Sequence, residues 1–285
     1  MNILIADSGA TKADWHLMKN GEMLHYFSGK GLSPVFQTHQ EILEELKIHV
    51  FPEFEKWDIE AIYFYGSGCT GENIHIVRNA LNQSFSLDNI KVYSDLIAVA
   101  HCLCGNKAGI ACILGTGSNS CEWDGEAIVK QISPLGFILG DEGSGAYMGK
   151  KLLGDALKNR LTDGLKEKLL QEYELTPAII IDKVYRQPYP SRFLASLSPF
   201  MKENIYDESI RRIVTESFND FFERNIMQYN YKKYEINFVG SIAWCYSDLL
   251  YEMAKGKEIK IGQIIKSPMV GLIEYYKNNK NIPNI

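Results

Sequence analysis

Apolar and polar positions along this chain follow two rhythms that alternate in a regular order. Residues 2–8 (NILIADS) are a nearly continuous apolar run ending in a polar turn, the pattern of a buried strand. Residues 12–18 read as its returning partner. Asn20-Gly21 then gives a strong hairpin signal, and 22–28 follow as a third strand. The rhythm switches to a helical period at about 38–51, where Ile42, Leu43, Leu46 and Val50 share one face. An apolar strand at 61–65, a glycine turn, a helix at 72–84, a strand at 90–93 and a short helix at 95–104 complete the first stretch. The scheme then restarts. Residues 109–114 (GIACIL) predict a buried strand, 118–123 its return, Asp124-Gly125 a second hairpin and 126–131 a third strand. The remainder is mostly helical, at about 142–160, 163–173, 177–186, 191–203, 207–229, 242–254 and from 268 onward. Strands at 235–239 and 258–262 interrupt it.

Both halves thus open with strand, Gly/Thr turn, strand, X-Gly hairpin, strand. That repeat of architecture predicts two similar α/β domains facing each other, with related turns aimed at one cleft. Length agrees, since 285 residues at roughly 150 per domain also predict two. No stretch is Pro/Gly/Ser-rich, so the expected connection is a compact hinge near 105–108.

Composition narrows the function. Apolar residues make up 46% and charged residues 23%, ordinary for a water-soluble protein. The net charge of −5 argues against nucleic acid or an anionic membrane as partner. Asp7, Lys12 and Asp14 interrupt any apolar leader, and no apolar run approaches the ~18 residues of a spanning helix. Six scattered cysteines read as reduced thiols, so a cytoplasmic location is expected.

The turns carry the candidate chemistry. In Asp7-Ser8-Gly9-Ala10-Thr11-Lys12, small residues let backbone N–H groups converge on an anion. Thr11 adds a hydroxyl, Lys12 a charge, and Asp7 a carboxylate able to hold Mg²⁺ through water. A plain polar hairpin explains the same letters equally well. Gly115-Thr116-Gly117-Ser118-Asn119-Ser120 repeats the device in the second half. Gly140-Asp141-Glu142-Gly143-Ser144-Gly145 precedes a helix capped by Asp141 or Ser144, and also offers Asp141 as acceptor for substrate hydroxyls. Phe238-Val239-Gly240-Ser241 joins a strand to a helix through a glycine, which lets a flat nucleoside approach the backbone. Asp95 begins a helix at the C-terminal edge of a strand, where α/β sites lie. It is either an N-cap or the base that accepts a hydroxyl proton in phosphoryl transfer.

One motif points elsewhere. Gly66-Ser67-Gly68-Cys69-Thr70-Gly71 is a literal G-x-G-x-x-G after a strand and before a helix, the pattern of an NAD(P)-linked oxidoreductase. That reading leaves the preceding meander and the Gly-Thr-Gly-Ser turn unexplained. Walker A is absent, which removes the P-loop kinases.

Taken in order, D-S-G-A-T-K, G-T-G-S-N-S, L-G-F-I-L-G-D-E-G-S-G and V-G-S-I-A resemble the motifs of the BadF/BadG/BcrA/BcrD ATPase family. Within it they resemble the N-acetylglucosamine kinases of the acetate and sugar kinase/Hsp70/actin superfamily. The resemblance implies two ribonuclease-H-like (actin/hexokinase-type) α/β domains flanking an ATP-binding cleft. The domains would be 1–106 with a last helix 268–285, and 107–267. It implies Mg-ATP as cofactor, an amino sugar such as N-acetylglucosamine as substrate, and a homodimer. Asp7 would serve the metal; Gly9, Thr11, Lys12, Gly115, Thr116 and Gly117 the phosphates; Gly240 and Ser241 the adenosine. Asp95 would face the acceptor hydroxyl, and Ser118, Asn119, Leu135, Gly136 and Asp141 the sugar. Ser33 stands in Gly31-Leu32-Ser33-Pro34 where many of these kinases carry Asn in a G-x-N turn, and Leu135-Gly136-Phe137 replaces G-W-G. Such changes alter substrate choice, so glucosamine, N-acetylmuramic acid or another hexose also fits. The same family holds ATPase activators with an iron–sulfur cluster, for which Cys102 and Cys104 are the relevant thiols; a helical C-x-C points its two sulfurs in different directions.

Overall fold

A computed structural model of the chain describes residues 1–9 and 12–278. The chain divides into two compact units. One is Met1–Gly105 with the stretch that starts at Pro268, and the other is Asn106–Ser267.

In the first unit, β1 (Asn2–Ser8), β2 (Lys12–Lys19) and β3 (Glu22–Lys30) form an antiparallel meander. β4 (Ala61–Gly66) and β5 (Ile90–Ser94) add in parallel, giving the order β3-β2-β1-β4-β5. Both faces of β1 are covered, which explains its unbroken apolar sequence. Leu4 and Ala6 pack with Trp15, Phe64 and the helices α1 (His39–Glu45), α2 (Phe51–Phe54) and α3 (Asn73–Phe85). Ile3 and Ile5 face the other way, toward α4 (Asp95–Leu103) and the helix Met269–Asn278. Each fully buried Leu, Ile or Phe stabilises the fold by roughly 1.5–3 kcal/mol.

The second unit repeats this order. β6 (Gly109–Leu114), β7 (Ser118–Trp123) and β8 (Ile128–Gln131) form the meander, and β9 (Ile236–Val239) and β10 (Ile261–Ile265) add in parallel. The sheet runs β8-β7-β6-β9-β10, strand for strand the equivalent of the first. One large apolar core joins β6 and β9 to α6 (Gly145–Leu157), which follows the short turn of helix α5 (Gly136–Leu139). The same core takes in α7 (Leu165–Glu172), α8 (Pro177–Tyr185), α9 (Pro190–Ala195), α10 (Ser198–Glu203), α11 (Glu208–Arg224), α12 (Ser241–Cys245) and α13 (Ser247–Lys255). No described helix is long and apolar enough to cross a membrane.

Several elements differ from their expected bounds. The helix predicted at 38–51 continues to Phe54 through a π-helical turn, Leu46–Val50, in which the Phe51 N–H reaches the Leu46 carbonyl. Pro52 has no N–H, and its ring clashes with an α-helical carbonyl four residues back, so a wider turn precedes it. The helix expected at 191–203 breaks at Ser196–Leu197, because Pro199 suits the first turn of a new helix. Helix 242–254 breaks at Tyr246, whose buried hydroxyl donates to the Ser198 carbonyl (3.2 Å). Helix 207–229 ends at Arg224 and continues as a 3₁₀ turn. The strand expected at 258–262 lies three residues later, after Glu258 takes a positive φ. α5 has no counterpart in the sequence reading. Of the expected helix 268–285, residues 279–285 lie outside the described residues, as does the expected phosphate ligand Thr11.

Candidate active site

The parallel strands of the first unit end level with one another. Ser8 pairs with Gly66, and Gly66 with Ser94, so the residues that follow gather at one sheet edge. The turn after β1 is tight, with the Gly9 N–H on the Lys12 carbonyl (2.9 Å). Buried Ser8 anchors the next loop by accepting from the Leu32 N–H (2.8 Å) and donating to the Leu32 carbonyl (3.0 Å). Ser33 is consequently buried, its hydroxyl donating to the Ser67 carbonyl (3.2 Å). Ser94, not Asp95, caps α4, accepting from the Ile97 N–H. Asp95 is therefore released from the cap role. Its carboxylate accepts from the Leu96 N–H (2.9 Å), and the Ser67 side chain also favours its charged form.

Burial raises the pKa of Asp95 above the usual carboxylate value, with the Leu96 N–H and Ser67 opposing. Asp7 is pushed up to about 7, first by burial, then by the charges of Asp95 and Asp14, with Lys12 opposing. Asp14 stays low despite its own burial, because Lys12, Ser28 and Tyr26 bond to it. The Lys12 ammonium lies 2.9 Å from Asp14. Among the described residues no group of three or more His, Cys, Asp or Glu side chains is gathered to hold a metal; Asp7 offers a single carboxylate, an oxygen donor of the kind Mg²⁺ prefers, and a cation there would relieve the repulsion that raises it.

In the second unit the equivalent turn follows β6. Gly115 N–H donates to the Gly117 carbonyl (3.0 Å), and the Gly145 and Ala146 N–H groups dock on the Gly115 and Thr116 carbonyls (2.9 and 3.0 Å). Among the described residues, the N–H groups of Thr116 and Gly117 have no partner, so two donors remain for an anion. Asp141, at φ +58, accepts from the Ser118 N–H (3.2 Å). A Cβ on Gly117 would lie 3.1 Å from Asp141 Oδ2, so glycine lets that carboxylate settle against the turn. Ser144, not Asp141, caps α6. Burial raises Asp141, the Ser118 N–H opposes this, Glu142 adds to it and Lys150 reduces it. Gly240 closes on the same turn, where a Cβ would meet the Leu114 carbonyl at 2.2 Å. This contact puts Ser241, the first residue of α12, beside Gly115. Asn119 Oδ1 is occupied by the Ser120 N–H (2.9 Å) and Gln131 (3.1 Å). Leu135 and Gly136 both take positive φ and start α5, which is tied to Asp141 by the Asp141 N–H on the Pro134 carbonyl.

The G-x-G-x-x-G segment has a different purpose from the one its letters suggest. A Cβ on Gly68 would lie 2.3 Å from Val35 Cγ2, so this glycine admits the 33–36 loop rather than a pyrophosphate. The preceding strand also sits inside a sheet that opens with an antiparallel meander, which the dinucleotide fold lacks.

Neither a family model nor a curated protein sequence matches the chain. Solved structures do. A candidate N-acetylglucosamine kinase from Porphyromonas gingivalis is 44% identical, covering 97% of this chain and 99% of that one, with a TM-score of 0.94. The chain belongs to the N-acetylglucosamine kinase family of sugar kinases. A candidate N-acetylglucosamine kinase from Chromobacterium violaceum shares the fold at 17% identity and TM-score 0.75, over 96% of this chain and 98% of that one. A ROK family glucokinase from Streptomyces griseus, solved with glucose and AMPPNP, does so at 14% and 0.57, over 96% and 98%. The architecture of this kinase is thus the actin/hexokinase type. Ser67, Asp14, Glu142 and Lys150 were not singled out from the sequence. Ser67 lay inside the misleading glycine motif, and Asp14 stands opposite Asp7 in the β1–β2 register. Glu142 is buried and accepts from Arg224 (3.1 Å), anchoring the Asp141 turn of the kinase.

Proposed function

We propose that the chain transfers the γ-phosphoryl group of ATP to a hydroxyl of an amino sugar, N-acetylglucosamine before other hexoses. The observation that carries this reading is the setting of Asp95. It is a buried carboxylate that leaves the N-cap to Ser94 and is held by the Leu96 N–H (2.9 Å) at the edge of β1, β4 and β5, within electrostatic reach of Ser67 and Asp7.

Phosphoryl transfer asks for held phosphates, neutralised charge and a base placed at the acceptor hydroxyl. The unpartnered Thr116 and Gly117 N–H groups, the Gly9 turn and Lys12 bind phosphate oxygens, and Thr11 adds its hydroxyl. Asp7 holds Mg²⁺ through water, and the ion when bound neutralises charge on the phosphates. Gly240 and Ser241 contact the adenosine. Asp141, anchored by the Ser118 N–H, accepts hydrogen bonds from sugar hydroxyls, with Ser118, Asn119, Leu135 and Gly136 around it. Ser33 acts through Ser67, to which its hydroxyl donates. Asp95, made more basic by burial, takes the proton of the attacking hydroxyl. The 44% identical relative from Porphyromonas gingivalis, described as a candidate N-acetylglucosamine kinase, supports the choice of sugar.

Phosphorus NMR of a reaction with Mg-ATP and N-acetylglucosamine tests the proposal. A sugar phosphomonoester resonance growing as ADP appears, absent with Asp95→Asn, is expected. ADP appearing with inorganic phosphate alone would replace the kinase by an ATPase.

A further inference from the structure

The Asp141 turn is flanked by α5, and α5 is an unusual element. It is four residues long, too short to be stable by itself. Phe137 packs against the large core, yet Leu135, Ile138 and Leu139 are 60%, 72% and 71% exposed. Its backbone is held by the Gly140 N–H on the Gly136 carbonyl (2.8 Å) and the Asp141 N–H on the Pro134 carbonyl (2.9 Å). Among the described residues a single side chain hydrogen-bonds to it. Lys150, on α6, places its ammonium on the Phe137 carbonyl at 2.9 Å. The half-buried Lys150 also lies over the Tyr147 ring, 4.9 Å from its centroid.

Two of the charges acting on this ammonium belong to the Asp141 turn. The charged groups around it are Glu142, Asp141 and Lys151, and those around Asp141 are Glu142 and Lys150. Glu142 is already paired with Arg224, whereas Asp141 has no side-chain cation within ion-pair distance among the described residues. Lys150 acts on Asp141 through its charge, without pairing with it. Burial lowers Lys150, with Glu142 and Asp141 opposing, as expected of an ammonium held for its neighbours rather than for solvent.

We infer that Lys150 is a positioning residue for sugar recognition: its ammonium ties the α5 turn to α6 through the Phe137 carbonyl, and so steadies the Asp141 turn that follows α5. The inference rests on the sugar-kinase reading for its substrate and on the Lys150–Phe137 contact for its geometry. A lysine serving only stability would alter unfolding without separating the two substrates.

The test compares wild type with Lys150→Met, Lys150→Gln and Lys150→Arg. Loss of a charged hydrogen bond, about 1.5–3 kcal/mol, predicts a sugar KM on the order of 10–100-fold higher in Lys150→Met. The ATP KM should stay within about two-fold, and Lys150→Arg should restore most of the loss. Removing the cation favours the protonated form of Asp141, so the acid limb of kcat/KM for sugar should move to higher pH in Lys150→Met and Lys150→Gln. Should Lys150→Met not fold, Lys150→Gln, which keeps a donor and loses the charge, carries the same comparison. Equal changes in both KM values, or none, would overturn the inference. Hydrogen exchange without ligands gives an independent reading. Amides 136–141 should exchange about 10-fold faster in Lys150→Met, as expected for a lost charged hydrogen bond, and unchanged exchange there would also overturn it. If wild type phosphorylates no sugar, the kinase reading fails while the exchange result still decides whether Lys150 holds α5.

Discussion

The two units build the same five-strand order and end it in turns of opposite character. Around the first turn stand carboxylates: Asp7 pushed up to about 7, Asp14 neutralised by Lys12, and Asp95 fixed by Ser67. Around the second stand unpartnered N–H groups and hydroxyls, with the carboxylate of Asp141 pinned by the Ser118 N–H and that of Glu142 paired with Arg224. The difference teaches that topology decides where a turn emerges, and side chains decide whether it reacts or binds. Under the proposed function, the proton is taken in the first unit, both units contribute to phosphate binding, and sugar recognition falls largely to the second.

The sharpest break of that comparison is Asp95→Asn. It should lower kcat by on the order of 10²–10⁴, the usual worth of a positioned base, with little change in ATP affinity. Steady-state kinetics alongside calorimetric ATP titration measures both. Gly117→Val should do the reverse. Its side chain would displace Asp141 and crowd the two donor N–H groups, so ATP binding should weaken by at least ~10-fold, a loss of about 1.4 kcal/mol, while the protein stays folded. Unchanged ATP affinity would remove the second turn from phosphate binding.

Ser67→Ala should reduce kcat by roughly 10-fold, as one hydrogen bond to a charged group is lost, without touching nucleotide binding. A separate effect, on stability rather than catalysis, comes from the opposite face of the first sheet. There His101 accepts or donates to the Tyr65 hydroxyl (2.8 Å) and stacks on Tyr275, and burial lowers its pKa to about 4. The unfolded chain binds this proton near pH 6.5, so stability should be complete above pH 6.5 and decline as pH falls toward 4. The most it can lose is about 3 kcal/mol. Urea midpoints across this window, flattened in His101→Gln, would show it.

Much of this was legible in the sequence for a physical reason. Strands covered on both faces must be apolar throughout, and glycine-rich turns must follow them, so the strand–turn–strand openings of both halves stood out. Elements shaped by distant contacts did not. Ser67 and Asp95 follow two strands that only the β4–β5 pairing brings together. α5 is apolar yet exposed, against the pattern that marks a helix in sequence. Asp95 and Asp141 each looked like helix caps until Ser94 and Ser144 were seen in those positions.

The central claim is sugar-dependent phosphoryl transfer, and coupled ADP release with Mg-ATP tests it most directly. The panel is glucosamine, N-acetylglucosamine, N-acetylmuramic acid, glucose, N-acetylmannosamine and no sugar. The account predicts strong stimulation by one amino sugar, N-acetylglucosamine first, that disappears in Asp95→Asn. ADP release at the same rate with and without every sugar would contradict it.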